Sequence, residues 1–109
     1  HNNMDNTSLN VEENIVKVLK TVYDPEIPAN IYDLGLIYKI DFNPKDGSLD
    51  IDMTLTAPGC PLADYIIEDV RQKVLGVEEV KTAQINLVFE PEWNQDMMSE
   101  EAKADLGFI

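Results

Sequence analysis

Cys60 is the residue of this sequence best suited to chemistry. It is the single cysteine, and it lies in the segment Leu-Thr-Ala-Pro-Gly-Cys-Pro-Leu that spans residues 55–62. Pro58 and Gly59 favour a turn before it, and Pro61 suits the first position of a helix, where a missing N–H costs nothing. Cys60 is therefore predicted at or beside a helix N-terminus. The helix dipole there favours the thiolate, which is the form that binds metals and attacks electrophiles.

A buried, unreactive role for Cys60 is the alternative, since free cysteines commonly act as small apolar core residues. Position alone leaves both interpretations open.

The residues needed for several other kinds of site are absent from the sequence. The single histidine, His1, stands in the leader, so neither a Ser-His-Asp nor a Cys-His arrangement can be built. The sequence also has no Gly-rich phosphate loop and no second cysteine to close a zinc site with thiolates.

Two carboxylates form the other candidate group. Asp24 and Glu26 flank Pro25 in a stiff connector that ends at Pro28. Because two prolines fix this backbone, its side chains are held in set directions, as a ligand loop requires. A salt-bridged or capping carboxylate is the alternative. The polar side chains that follow, each able to cap a local turn, are Asn30 and Asp33.

Charge and composition limit the classes of function. Asp and Glu total 21 against 8 Lys and Arg, which gives a formal net charge of −13. This charge repels nucleic acid and anionic membrane surfaces but not basic protein partners. With one cysteine, no apolar run of membrane-spanning length and no visible signal peptide, the sequence predicts a cytoplasmic protein. A further group of carboxylates, Asp41, Asp50 and Asp52, is assigned to a solvated strand face, with a metal site as the weaker alternative.

Hydrophobic periodicity predicts an α/β (α+β) domain in the order α-β-β-α-β-α. Residues 1–10 are expected to be a flexible leader, in which 1–3 precede Met4 and are interpreted as a cloning remnant. Asn10 is predicted to cap the first helix. The strands, recognised by alternation, are predicted near 36–42, 49–55 and 80–89. Gly76 is expected to end the second helix, which begins at Pro61. The result is a two-layer sandwich, a small three-stranded sheet with helices on one face.

The C-terminal tail carries its own apolar residues. Asp96 or Ser99 is predicted to cap a last short helix that ends before Gly107. The tail is expected to dock on the domain, with an exposed patch for a partner as the alternative. Its apolar residues are Trp93, Met97, Met98, Leu106 and Phe108. Within the first strand, Tyr38 is predicted to face the core.

Three segments, 24–28, 30–38 and 54–61, closely resemble the SufT-like domain of iron–sulfur cluster assembly. That domain is related to the eukaryotic cytosolic iron–sulfur targeting adaptor and to PaaD of the phenylacetate ring-oxygenation system. The tail, 93–107, resembles the end of stand-alone members. The resemblance covers about residues 11–109, which are therefore expected to form a single domain.

The resemblance implies a maturation or carrier role for iron–sulfur proteins without catalytic turnover. It implies Cys60 as the functional residue, with Asp24 and Glu26 as candidate ligands of a metal or a transient cluster, and no permanently bound cofactor. The predicted supporting residues of this site are Pro25, Pro28, Asn30, Asp33, Thr56, Pro58, Gly59 and Pro61. The P-loop ATPase of larger relatives and the extra cysteines of PaaD are both missing from this sequence.

The expected partners are the iron–sulfur assembly machinery and recipient apo-proteins, with neither nucleic acid nor membrane. A cluster usually takes four ligands, and this chain supplies one thiolate. The protein is therefore expected to be a monomer or weak homodimer in which two Cys60 loops share a cluster. A metal-free adaptor is the rival function. An accessory subunit of a ring-oxygenase-type metalloenzyme system is the third.

Overall fold

The computed structural model describes residues 3–56 and 62–109, with side chains described from Asn10 onward. Three helices and a three-stranded mixed sheet appear in the predicted order. The helices are α1 (Asn3–Leu19), α2 (Ala63–Leu75) and α3 (Glu100–Asp105). The strands are β1 (Ile37–Asn43), β2 (Ser48–Met53) and β3 (Thr82–Leu87). The predicted fold class is confirmed, while β3 is shorter than predicted.

The sheet has β2 at its centre. The strand β2 pairs antiparallel with β1, with which it forms a hairpin, and parallel with β3. In the hairpin register, Ile40 is opposite Ile51 and Phe42 is opposite Leu49. Such facing pairs share one side of a sheet, and this side carries the strand residues of the core. The turn between the strands contains Gly47 at φ +74°, a conformation that favours glycine.

A β-bulge in β1 corrects the prediction for Tyr38. The register shifts between Ile37, which is opposite Met53, and Lys39, which is opposite Asp52. The extra residue, Tyr38, is thereby left out of the pairing. Its side chain is half-buried and not a core residue, and its hydroxyl donates to the carbonyl oxygen of Pro91 at 2.8 Å. Strict alternation cannot anticipate a bulge, because one inserted residue reverses the facing of every residue before it.

Helix α1 begins earlier than predicted. Asn3 is its first residue, so residues 3–10 belong to the helix and Asn10 does not cap it. The buried face still follows the predicted spacing, with Val11, Ile15 and Leu19 each at most 1% exposed. A large aliphatic side chain buried in this way contributes about 1.5–3 kcal/mol. The apolar stripe therefore positions the helix on the sheet, although it does not define the helix start.

Helix α2 follows the crossover from β2 and lies against β3. Its row of Ile66, Val70 and Val74, spaced four residues apart, is buried. The described helix begins at Ala63 with Leu62 at its N-cap. The N-cap residue Leu62 is 44% exposed. The predictions for Pro58, Gly59, Cys60 and Pro61 concern residues outside those the structure describes.

The tail docks on the domain, as predicted. A 3₁₀ turn (Gln95–Met97) precedes α3, and the Ser99 hydroxyl caps α3 by accepting from the N–H of Ala102 at 3.1 Å. Met98 and Ala102 are buried against the core, whereas Phe108 is 49% exposed. In the described ranges, no helix combines the length and apolar character needed to cross a membrane.

Candidate functional site

The carboxyl ends of β2 and β3 lie side by side at one edge of the sheet. Met53 and Leu87 are register partners at the ends of these parallel strands. The chain leaves this edge through Thr56 and re-enters the described structure at Leu62, the N-cap of α2. Ligands of sheets with parallel strands are commonly bound at this edge. The segment that contains Cys60 therefore begins directly after the residues that lie at this edge.

A pocket of about 250 Å³ opens at this edge. We call it the edge pocket. The residues that line it come from the two stretches after β2 and β3, and they are Thr54, Leu55, Thr56, Phe89, Glu90, Glu92 and Trp93. Of these, Thr56 alone belongs to the predicted site. The residues after β3 were missed because their approach to Thr56 depends on the parallel pairing of β2 and β3, which local sequence does not specify.

Thr54 is the least expected member of the edge pocket. Its side chain is fully buried, and its backbone N–H donates to the Leu36 carbonyl at 2.8 Å. Its Oγ1 has no hydrogen bond of full geometry in the described part of the chain. Burial raises the pKa of Tyr38, and an interaction with the Thr54 hydroxyl partly offsets this by lowering it. Buried hydroxyls are normally hydrogen-bonded, so Thr54 is an exception that requires an explanation.

The walls of the edge pocket are held by contacts between the tail and the loop before β1. The indole N–H of Trp93 donates to the carbonyl oxygen of Leu34 at 2.7 Å. Gly35 has φ +81°, and a side chain there would overlap the carbonyl of Met97. Tyr38 donates to the carbonyl of Pro91, as described above, and its hydroxyl lies 3.4 Å from Met97 Sδ. The tail therefore fixes one wall of the pocket.

Asp24 is occupied within its own loop. Its side chain is 8% exposed, and Oδ1 accepts from the backbone N–H groups of Glu26 at 2.8 Å and Ile27 at 2.9 Å. Glu26 is exposed. That the two carboxylates act together as ligands stays a prediction. The capping alternative describes Asp24 directly, while the prolines Pro25 and Pro28 are exposed in the same loop.

Asn30 and Asp33 form the turn that was predicted for them. The Asn30 amide donates to Asp33 Oδ2 at 2.8 Å, and the Asp33 backbone N–H donates to Asn30 Oδ1 at 2.8 Å. The Asp33 carbonyl accepts from the N–H of Ser99 at 2.8 Å. These bonds connect the loop to the beginning of α3. Both residues thus have a structural task, and their predicted role beside Cys60 stays a prediction.

The carboxylates on the open face of the hairpin are neutralised locally. The Asn86 amide donates to Asp50 at 2.7 Å and to Asp52 at 2.9 Å. Lys39 Nζ lies 3.4 Å from Asp50 and 3.9 Å from Asp52. Within residues 10–56 and 62–109, no three His, Cys, Asp or Glu side chains are arranged to hold a metal ion. The solvated strand face, the favoured interpretation of these residues, describes them better than a metal site.

The fold is that of a small α+β domain in which the crossover between the parallel strands β2 and β3 contains the single cysteine. Residues 12–87 match the family described as iron-sulfur cluster assembly protein. The chain belongs to this family, and the SufT-like resemblance is confirmed.

Curated relatives match nearly the whole chain. A Porphyromonas gingivalis protein named Fe-S protein maturation auxiliary factor is 62% identical, over 97% of this chain and all of that protein. A Bacillus subtilis protein with the same description is 42% identical, over 89% of this chain and 94% of that protein. An iron-sulfur cluster carrier protein of Mycobacterium tuberculosis is 34% identical, but the match covers 21% of its length.

Solved structures share the fold. A domain of unknown function from Bacillus anthracis has a TM-score of 0.82 and 37% identity, with 92% of this chain and 94% of that chain covered. A conserved hypothetical protein from Thermotoga maritima has a TM-score of 0.74 and 32% identity, with 88% and 93% covered.

Proposed function

We propose that this protein is an iron–sulfur cluster assembly or maturation factor that carries or delivers clusters, or docks recipient proteins, through the Cys60 loop. One observation carries the proposal. The segment that holds the single thiol leaves the described structure at Thr56, which lines a pocket at the carboxyl edge of the parallel strands, and rejoins it at Leu62, the N-cap of α2. The names of the full-length relatives support the same role. We assign this role to the domain formed by residues 11–109.

The donor set of the chain suits a cluster as transient cargo. Thiolate is the usual protein ligand of iron–sulfur clusters, and a cluster usually takes four ligands. This chain has one cysteine, so another chain, a carboxylate or a small thiol must supply the remaining ligands. A site with one protein thiolate favours transfer over storage. On this proposal the protein performs no catalytic turnover and works in the cytoplasm with assembly proteins and apo-recipients.

A metal-free adaptor is a second candidate. It is favoured by exposed apolar side chains near the ends of the Cys60 segment: Leu62, Tyr65 and Phe89 are 44%, 67% and 43% exposed. The hydrogen bonds of Asp24 Oδ1 within its own loop also give that oxygen a structural role. The ring-oxygenase accessory role, the third function suggested by sequence, is favoured by none of these features.

Anaerobic purification followed by iron and sulfide analysis and a visible spectrum separates the two candidates. A carrier is expected to hold iron and acid-labile sulfide after reconstitution, with thiolate-to-iron absorption bands that Cys60→Ser loses. Glu26→Gln is a useful companion, since Glu26 is exposed and its loss changes cluster content only if it ligates. A protein that never retains iron or sulfide, with a recipient enzyme still matured in its presence, would overturn the carrier function and leave the adaptor.

A further inference from the structure

We propose that the outer side of β3 is a docking site for an extended segment of a partner protein, which pairs with β3 as an additional strand of the sheet. The sheet has the order β1-β2-β3, so β3 is an outer strand. In the described ranges, the helices and strands that lie against it are β2 and α2 alone. Addition of a strand is a recurrent way in which proteins bind extended peptides. The proposal goes beyond the maturation function and does not depend on it.

The backbone of β3 directs one row of hydrogen-bonding groups away from β2. Thr82 and Val88 donate their backbone N–H groups towards β2, to the Gly47 carbonyl at 3.3 Å and to the Met53 carbonyl at 2.8 Å. Successive residues of a strand bond to opposite sides, so the residues between these two alternate in the same way. We call the outward groups the outer row, which consists of the N–H and C=O groups of Ala83, Ile85 and Leu87.

The two outer strands of the sheet differ in their protection against further pairing. The strand β1 contains the bulge at Tyr38 and the charged residues Lys39 and Asp41, and bulges and charges hinder pairing with another chain. From Thr82 to Phe89 the sequence contains no charged residue, no glycine and no proline. The strand β3 thus lacks the features that usually block an outer strand, and an added strand is expected on this side of the sheet.

The position of α2 disfavours a second copy of this chain as the occupant. In the described chain, α2 approaches β3 more closely than β2, and α1 approaches β1, so α2 lies over β3 itself. In an antiparallel pair of β3 strands related by a two-fold axis, both α2 helices would lie on the same face. Paired strands are about 4.8 Å apart, whereas packed helices need about 8–10 Å between their axes. A bare extended segment carries no helix and avoids this overlap.

The neighbours of the outer row define the chemistry of the segment. On the face covered by helices, Ala83 and Leu87 are half-buried and Ile85 is buried, so apolar side chains are expected beside them. On the open face, the neighbours are the amides of Gln84 and Asn86, which favour polar side chains. The net charge of −13 favours basic side chains over acidic ones. The partner segment is thus an extended stretch in which apolar side chains alternate with polar or basic ones.

Titration with a heptapeptide tests the proposal in the intact protein. The probe is acetyl-Lys-Val-Thr-Val-Thr-Val-Lys-amide. Its control has the same side chains but carries N-methyl groups on the central valine and on the threonine that follows, which hinders hydrogen bonding on both sides of the peptide. At about 0.15 M salt, where distant charges are screened, we expect saturable NMR shifts in β3 and at least about tenfold weaker binding of the control.

Amide hydrogen exchange locates the bound peptide. Saturation with the peptide is expected to slow exchange at least about tenfold at the amides of the outer row. The N–H groups of Gln84 and Asn86 face β2 and should change little, because they are already paired within the sheet. This alternation along one strand distinguishes pairing with β3 from contact with a side-chain surface.

Ala83→Pro tests the outer row by substitution. It removes an outward N–H that the sheet does not use, so the protein is expected to fold, since proline is tolerated in outer strands at such positions. The peptide should bind this variant at least about tenfold more weakly. Ala83→Ser keeps the N–H and is expected to bind normally. If Ala83→Pro does not fold, the exchange pattern of the wild type decides the question.

Four results would overturn the proposal. These are a linear, unsaturable titration, equal binding of the N-methylated control, protection at amides away from the outer row, or undiminished binding to a folded Ala83→Pro protein. Slower exchange of the outer row in the free protein as its concentration rises would identify a second copy as the occupant and overturn the assignment to a partner. Cys60→Ser is expected to bind the peptide normally, so failure of this docking site leaves the maturation function standing, and the reverse also holds.

Discussion

Asp24 has a structural role in its loop and a proposed role in binding, and substitutions can separate the two. Because Oδ1 accepts two backbone N–H groups, Asp24→Ala is expected to cost about 1–2 kcal/mol of unfolding free energy, measured by urea denaturation. Asp24→Asn keeps an acceptor oxygen and should cost clearly less.

Glu26→Gln is the matched control for Asp24, since Glu26 is exposed and its side chain should contribute little to stability. If Asp24→Asn folds normally but fails to support maturation in cells, the carboxylate has a function beyond its cap. Equal stability of wild type and Asp24→Ala would contradict the capping role.

Tyr38 gives a dependence on pH with a definite sign. Burial raises its pKa above the ordinary value in the folded protein, so the folded state holds this proton more tightly than the unfolded state. The contribution of neutral Tyr38 to the free energy of unfolding is fully present below about pH 10, which is the pKa of the unfolded residue. This contribution is lost as the pH rises through the higher pKa of the folded state. Because Phe cannot donate to the Pro91 carbonyl, Tyr38→Phe should be less stable than wild type at neutral pH, with a difference that shrinks above about pH 10. A difference that grows with pH would contradict the assignment.

At the scale of elements, the contact between the loop before β1 and the tail has a strict steric requirement. Gly35 combines φ +81° with close approach to Met97, so Gly35→Ala is expected to cost about 3 kcal/mol or more and to detach the tail. Gly107 has φ +83° with open space around it, so Gly107→Ala isolates the conformational cost of about 1–2 kcal/mol. Chemical denaturation of both variants, with Trp93 fluorescence as the probe, measures the difference. Equal costs of Gly35→Ala and Gly107→Ala would contradict a close approach between Gly35 and the Met97 carbonyl.

Elements with a regular apolar period could be predicted from the sequence. The rows of α1 and α2 and the alternation of β2 follow from burial of one face, and the Ser99 cap follows from a local hydrogen bond. The start of α1 was missed because residues 3–10 have no clear stripe to mark a helix. The bulge at Tyr38 was missed because its only signal is the pairing with β2.

The site could be predicted in part. Local motifs identified the loop residues Asp24, Asn30 and Asp33, and the structure gives each of them a hydrogen bond within its loop. The edge pocket needs Thr54 and Trp93 to meet across the sheet, and no local pattern encodes this contact. A buried polar atom without a fully formed hydrogen bond, such as Thr54 Oγ1, can be recognised only when the structure gives the neighbours of every buried atom.

For the whole molecule, the net charge of −13 opposes self-association. If two Cys60 loops share a cluster, the metal-free protein should be a monomer or weak dimer, and its dimer fraction should rise with salt and with added iron and sulfide. Light scattering after anaerobic size exclusion, before and after reconstitution, measures this. Cys60→Ser is the control and should not respond to iron and sulfide. Tight cluster binding by a strict monomer would contradict the shared site.

Complementation of a strain that lacks this protein tests the central claim most directly. The measurement is the specific activity and iron content of a purified iron–sulfur enzyme from cells that carry wild type or Cys60→Ser at equal protein levels. We predict full activity with wild type and activity close to the deletion level with Cys60→Ser, although both proteins have similar melting temperatures. Normal enzyme activity and iron content with Cys60→Ser would contradict a maturation function that acts through the Cys60 loop.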